Sequence, residues 1–440
     1  MRRLHVTMNP SFRLASLLSA LATVALSSAS FADTSPTDDA TLPPIDRTFR
    51  LFPYESPSLA PYLSYVNIYS TNSLRAGGRI ASDPVSDGAQ WVKDQFAQIG
   101  IRYNLKQAFA LATMTDVEQG DSTLGAYLAE LEGNWHLTDD GEHATWLTYQ
   151  INAGSGLGSD ANVQTPAANI GSQTEPGAAW TGYNVAVKQV AGGFSAFKGE
   201  LVVVAGLLNV GNFVDQNRYS NSRFGQLMNS AFIASQTLSE PGEDLGANVQ
   251  WQPASWIYGI VSVSTNNARA GSVPWLDVNS EDMSYVGELG LISENTLGLG
   301  KGVYRFQPMY ATSRGDSGGG FSFNFEQALG TAERLGLFGR FGVADEAIAH
   351  LGGASAQASL GLISNDPNAW RGTIGDHDYF GVAASWQQSP DGDIDEWAFE
   401  ATYVLRLTPT ASLQPDVQWV FDDGDSTDSV VFQLSLILQW

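Results

Sequence analysis

The sequence predicts an all-β fold: a transmembrane antiparallel β-barrel of about sixteen strands behind a short arm containing one helix. Three observations carry this expectation. The chain opens on a basic and then apolar segment typical of export signals. From Ile101 onward its apolar residues recur at every second position. The same alternation then runs to the last residue, an aromatic.

The final stretch is the clearest strand. Phe432, Leu434, Leu436, Leu438 and Trp440 share one face, while Val431, Gln433, Ser435, Ile437 and Gln439 share the other. A period of two marks a strand whose faces meet different surroundings. A core strand of a β-sandwich would alternate equally well. A closing aromatic suits a ring seated at a bilayer interface.

Composition narrows the class. Charged residues make up 15% and aromatics 11%, with 45 glycines, and the mean hydropathy is only −0.11. That is too polar for a helical membrane protein and rich in strand and turn formers. A formal charge of −24, from 22 basic against 46 acidic residues, argues against nucleic acid as a partner. With no cysteine, disulfides, thiolate metal sites and thiol catalysis are excluded.

Residues 1–32 read as a signal peptide. Arg2, Arg3 and Arg13 precede the apolar run Leu14 to Leu26, and Ser30-Phe31-Ala32 offers the small residues that cleavage needs. Residues 33–100 form the arm, with Pro43, Pro44, Pro53, Pro57, Pro61 and Pro84 opposing ladder strands. Its one predicted helix runs from Asp87, a cap, to Gln98, with Val92, Phe96 and Ile99 on one face and Gly100 as the stop. Beyond the signal no stretch of about 18 apolar residues occurs, so any membrane passage uses strands.

The barrel is expected over 101–440. Its strands are read at 101–111, 123–137, 143–152, 181–190, 200–210, 246–252, 256–265 and 285–293 in the first half. The second half supplies 302–313, 320–329, 334–344, 355–364, 377–388, 396–408, 411–422 and 429–440. An even count puts both ends of the barrel on the periplasmic side. Tight links such as Thr408–Ala411 mostly alternate with long ones such as Gly211–Leu245, as short periplasmic turns and long outer loops require, with Asn365–Asp376, a longish link on the periplasmic side, as the exception.

Facing follows from cost, because an Arg toward lipid costs about 2–4 kcal/mol at mid-membrane. Trp397, Phe399, Ala401, Tyr403, Leu405 and Leu407 therefore face out, and Glu396, Glu400, Thr402 and Arg406 face the lumen. The same argument turns Arg102, Lys106, Arg305, Gln307, Glu326, Arg340, Asp416 and Gln418 inward. The expected interior is polar and of mixed charge.

Two motifs point elsewhere. Gly315-Asp316-Ser317-Gly318-Gly319 reproduces a serine-protease nucleophile segment, but no upstream histidine sits in a catalytic context, and the glycines read as a turn between strands. The acidic runs Asp391 to Asp395 and Asp422 to Asp428 lack the ligand pattern of a calcium loop and read as solvated charge. No catalytic residue, metal site or cofactor is expected.

From Trp91 to Trp440 the chain resembles the OprB family of carbohydrate-selective porins. The motifs are Glu396-x-x-x-Glu400-x-x-Tyr403, Leu413-Gln414-Pro415-Asp416-x-Gln418 and the closing strand. Phe325-Glu326-Gln327-Ala328-Leu329, Leu337-Phe338-Gly339-Arg340-Phe341-Gly342 and Phe224 through Phe232 add to them. The family's arginine–aspartate segment appears only loosely, as Arg371 and Asp376–Asp378. Phe432–Trp440 also resembles the C-terminal recognition signal of outer-membrane proteins, which implies the barrel-assembly machinery and outer-membrane lipid as partners.

The resemblance implies a passive outer-membrane channel for glucose-like mono- and oligosaccharides. Its alternative is a general, cation-leaning diffusion porin without sugar selectivity. An enzyme or a structural outer-membrane protein fits the residues less well, and monomer and homotrimer stay equally open. Sugar recognition needs arginine donors, carboxylate acceptors and a stacking aromatic. The loop Gly211–Leu245 is expected to fold into the lumen as a constriction carrying Asp215, Arg218, Tyr219, Arg223 and Phe224. Arg218 and Arg223 are expected to oppose Glu326 and Glu400, with Arg305, Arg340, Arg406 and Asp416 completing the wall.

Overall fold

The computed structural model describes residues 84–116, 122–157, 184–222, 224–238, 242–266, 282–313, 316–330, 335–364, 378–408, 410–423 and 428–440. The predicted signal peptide, most of the arm, and Arg223, Arg371 and Asp376 lie outside them.

Among the described residues, sixteen strands follow one helix. The helix is α1 (Pro84–Gln98), and the first eight strands are β1 (Ile101–Met114), β2 (Thr123–Asp139), β3 (Ala144–Leu157), β4 (Asn184–Ala196), β5 (Leu201–Asn209), β6 (Gly242–Ala254), β7 (Ile257–Thr265) and β8 (Met283–Ser293). The rest are β9 (Gly302–Ser313), β10 (Asp316–Leu329), β11 (Leu335–Ala344), β12 (Ala356–Ser364), β13 (Tyr379–Gln388), β14 (Asp395–Arg406), β15 (Ala411–Asp422) and β16 (Ser429–Gln439). Two short helices, α2 (Ser230–Ile233) and α3 (Glu346–Gly352), sit in connections.

Each strand pairs antiparallel with its sequence neighbour, and β1 closes on β16 in the register Lys106↔Gln439 through Met114↔Val431. Closure removes both sheet edges, so every ladder group finds a partner without water. The even count puts the start of β1 and the end of β16 on one rim, here the terminal rim. Trp440 exchanges two backbone hydrogen bonds with Leu105 there, at 2.9 and 3.0 Å.

The alternation predicted from sequence is the alternation of burial. In β16, Phe432, Leu434 and Leu436 are exposed on the outer wall while Val431, Gln433, Ser435 and Ile437 are buried inside. In β14, Trp397 and Phe399 face out, and Glu396, Glu400 and Thr402 face in. Outward aromatics stack across neighbouring strands, as Phe399 does on Trp419 at 5.8 Å and Phe325 on Phe341 at 6.3 Å.

Two expectations need correction. The helix begins at Pro84 rather than Asp87, because proline's fixed φ and missing N–H suit the first helical turn. On its expected apolar face, Phe96 and Ile99 are exposed. Ser317, Gly318 and Gly319 are not a turn: they pair with Thr312, Ala311 and Tyr310 and extend β10 toward the rim opposite the termini. Their small side chains leave room for Asp345, whose carboxylate accepts the Gly319 N–H at 2.8 Å.

Candidate functional site

The connection from β5 to β6 turns into the barrel. Among its described residues, Phe213 to Asn217, Tyr219, Ser220 and Gln226 to Asn229 are buried. The interior is therefore not uniformly polar, as expected above. Tyr219, Leu227 and Phe232 of the loop pack against inward Phe338, Ile363, Tyr379, Val404 and Val420. Glycines on β11 make the room. A side chain at Gly336 would collide with the Tyr219 ring, and one at Gly342 with Thr237.

Buried polar groups fix the loop's position. Asp215, held at φ 56°, accepts from Arg340 Nε at 2.8 Å, Asn324 Nδ2 at 2.6 Å and Ser235 N at 2.7 Å. Arg340 also donates to the carbonyls of Phe232 and, at 3.0 Å, Ser220. Glu288 accepts from Asp215 N at 2.9 Å, Tyr258 OH at 2.5 Å and Gln307 Nε2 at 2.7 Å. Arg305 lies between two carboxylates, 3.9 Å from Glu288 and 3.3 Å from Glu326. Glu400 accepts the backbone N–H groups of Met228 and Asn229 at 2.6 and 2.9 Å. Asn229 donates to Gln418 at 3.0 Å, and Gln418 to Asp416 at 2.8 Å.

These contacts bind the loop to β8–β15 and leave an opening on the side of β1–β3. A cavity of about 220 Å³ lies there, between the wall residues Asn104, Lys106, Glu130, Glu132 and Gln150 and the loop residues Asn212, Gln216, Asn221, Phe224 and Gln226. The charges on its wall are ordered. Lys106 Nζ lies 2.9 Å from Glu130 and 2.8 Å from Glu132. Asn104 donates to Glu132 and Gln150 to Glu130, each at 3.0 Å. Asn212 donates to Gln150 at 2.8 Å, joining loop to wall. The Phe224 ring centroid lies 5.8 Å from Lys106 Nζ, within cation–π range.

The sequence-predicted residues divide accordingly. Asp215 and Phe224 border the cavity. Arg305, Arg340, Glu326, Glu400 and Asp416 lie on the wall that holds the loop. The expected opposition of Arg218 and Glu326 is made by the Arg218 backbone N–H, at 2.6 Å, while the guanidinium lies 5.8 Å from the Tyr219 ring centroid. Glu400 meets backbone donors, not Arg218. Tyr219 is buried on Gly336, and its carbonyl accepts Tyr379 OH at 2.9 Å. Arg406 sits where β14 reaches the terminal rim, its N–H on Asp378 at 2.9 Å.

Sequence reasoning placed Lys106 in the lumen but missed its partners Glu130 and Glu132 and the amides of Gln150 and Asn104 that donate to them. A signal was present in the inward row Glu130, Glu132, Asn134, His136 on β2, the longest unbroken polar face of that strand.

Ser317 is exposed on β10. Of the described histidines, His143 meets Asp140, and His350 meets Glu346 and Asp391, all on exposed surfaces.

A family model described as carbohydrate-selective porin, OprB family, matches residues 304–434. In structure the chain is similar to OprB of Pseudomonas putida. Against its high-pH structure the TM-score is 0.64 at 16% identity, covering 83% of this chain and 100% of that one. Against its low-pH structure the values are 0.50 and 15%, covering 80% and 96%. No curated protein matches the chain in sequence. The chain is a sixteen-stranded barrel of porin fold, and over residues 304–434 it carries the sequence pattern of the OprB family.

Proposed function

We propose that this protein is an outer-membrane channel for passive diffusion of glucose-like mono- and oligosaccharides. The fold and the family match indicate a channel rather than an enzyme. The observation that carries the sugar reading is the cavity beside the loop. It combines amide donors and acceptors, two carboxylates bridged by one ammonium, and an aromatic ring. Sugar hydroxyls exchange hydrogen bonds with the first two kinds of group, and the apolar face of a pyranose stacks on the third. These contacts are few and individually weak, so a solute is held loosely enough to leave. Carbohydrate solutes and membrane lipid are then the partners, with barrel assembly served by Phe432–Trp440.

The acidic charge of −24 supports a second reading, a general porin that favours cations. Bilayer conductance separates the two. Under the first, glucose blocks the ionic current, and Phe224→Ala weakens the block by about 1 kcal/mol. Equal swelling rates for sugars and amino acids of the same size, with no block, would establish the second.

A further inference from the structure

α1 presents its faces in the opposite sense to a helix packed on a soluble protein. Trp91, Phe96 and Ile99 are exposed at 58, 42 and 62%, whereas Lys93 is exposed at only 7%. At about 100° per residue, Trp91, Gln95, Ile99, Val92 and Phe96 fall on one arc that carries no charge, and Lys93 falls outside it, across from Trp91. In water such a helix gains by rolling its apolar arc inward and its lysine outward.

The roll is prevented by contacts with the barrel. Lys93 Nζ lies 5.9 Å from the Tyr103 ring centroid, and Phe96 meets the same ring edge-on at 5.6 Å. Burial pushes the Lys93 ammonium down to about 8, with Glu132 acting the other way. At the helix end, Gly100 O accepts the N–H of His136 at 2.8 Å. The residues on either side of His136, Trp135 and Leu137, point outward and are exposed. Trp251 and Trp256, at the β6–β7 turn of the same rim, are exposed too. The uncharged arc of α1 therefore continues a band of outward aromatic and aliphatic side chains. Trp beside Phe and Ile is the composition of a bilayer interface.

We infer that α1 is an interfacial anchor, its Trp91, Phe96 and Ile99 face lying in the lipid headgroup layer at the terminal rim. Lys93 is the polar pin that sets the helix's rotation against the wall. The inference rests on the outer-membrane reading, and its test distinguishes the two.

The chain has no cysteine, so a single introduced one takes an environment-sensitive fluorophore uniquely. Ile99→Cys, Gln95→Cys and, on the outer wall of β16, Leu434→Cys are each labelled and reconstituted in phospholipid vesicles containing nitroxide lipids. Gln95 repeats the measurement at an exposed polar position, where replacement removes no apolar contact. The anchor predicts that Ile99 and Gln95 labels lose most of their emission to a headgroup nitroxide and little to aqueous iodide. Quenching by iodide alone overturns it. So does protection from both quenchers, the mark of an arc covered by residues 33–83 or by a second copy. A quenched Leu434 label beside unquenched helix labels defeats the anchor alone, whereas an unquenched Leu434 label defeats the outer-membrane reading itself.

Discussion

The two sides of the inward loop use the same chemistry to opposite ends. Toward β8–β15, Arg340 and Asp215 are buried together and every contact holds the loop in place. Toward β1–β3, Lys106, Glu130 and Glu132 form an equally close ion triad, but it borders an open cavity. Ion pairs within a lumen thus differ by what adjoins them. Where apolar loop residues exclude water, a charge pair positions a segment; where the loop stands off, the same groups remain available to a solute. On the closed side, removing one partner strands a buried charge, and the penalty is large. On the cavity side the triad is itself only 7–11% exposed, but the adjoining cavity lets water replace a lost partner, and the loss is smaller.

The largest expected effect is therefore at Arg340. Arg340→Ala leaves the Asp215 carboxylate and four loop carbonyls without their donor and weakens loop anchoring by about 3–5 kcal/mol. Single-channel conductance rises and residues 211–238 become sensitive to protease, while the barrel, closed by its ladders, survives. Unaltered conductance would break the distinction between the two sides. Glu400→Gln comes next, because one of the Met228 and Asn229 N–H groups loses its acceptor. The expected loss is about 1–3 kcal/mol, read as a smaller conductance rise with added open-channel noise.

On the open side Lys106→Met should leave the loop in place. It removes the counter-charge of Glu130 and Glu132, so the reversal potential in a salt gradient shifts toward cations. Sugar block weakens by about 1 kcal/mol with the loss of the Phe224 contact. A Lys106 variant whose conductance rises as far as that of Arg340→Ala would show that both sides hold the loop.

A further effect, with no consequence for conductance, lies outside the lumen, at Lys93. Its pKa is lowered from 10.5 to about 8, so between those values the unfolded chain binds a proton that the docked helix does not. Docking therefore strengthens as pH rises through that window, and its cost is fully present below pH 8. Protection of α1 from hydrogen exchange should increase from pH 8 to 10.5 relative to exchange in an unfolded control. Lys93→Met should remove the slope, and a slope that persists in the variant would assign it to another group.

Much of the barrel was legible because its information is local. Alternation within each strand fixes both the strand and its facing, as in Glu396 to Arg406, where each charge facing lipid would carry a penalty. The ends were less legible. β10 continues through Ser317 and Gly318, residues whose types favour turns, because the facing strand β9 offers them a ladder. Partner choice within the lumen was not legible at all. Asp215 and Arg340 are 125 positions apart, and nothing near either residue distinguishes this pairing from one with Arg218 or Arg305.

By itself the sequence determined that about sixteen strands would form, which way their charged residues would point, and that a long connection rich in polar and aromatic residues would follow β5. These follow from a period of two and from the expense of charge in hydrocarbon, both readable within a dozen residues. Only the tertiary structure decided which wall the loop would rest on, and hence which carboxylates became struts and which were left facing the cavity. That choice depends on three-dimensional fit, on the space beside Gly336 and Gly342 and the distances among Asp215, Arg340 and Glu288, and no stretch of sequence contains it.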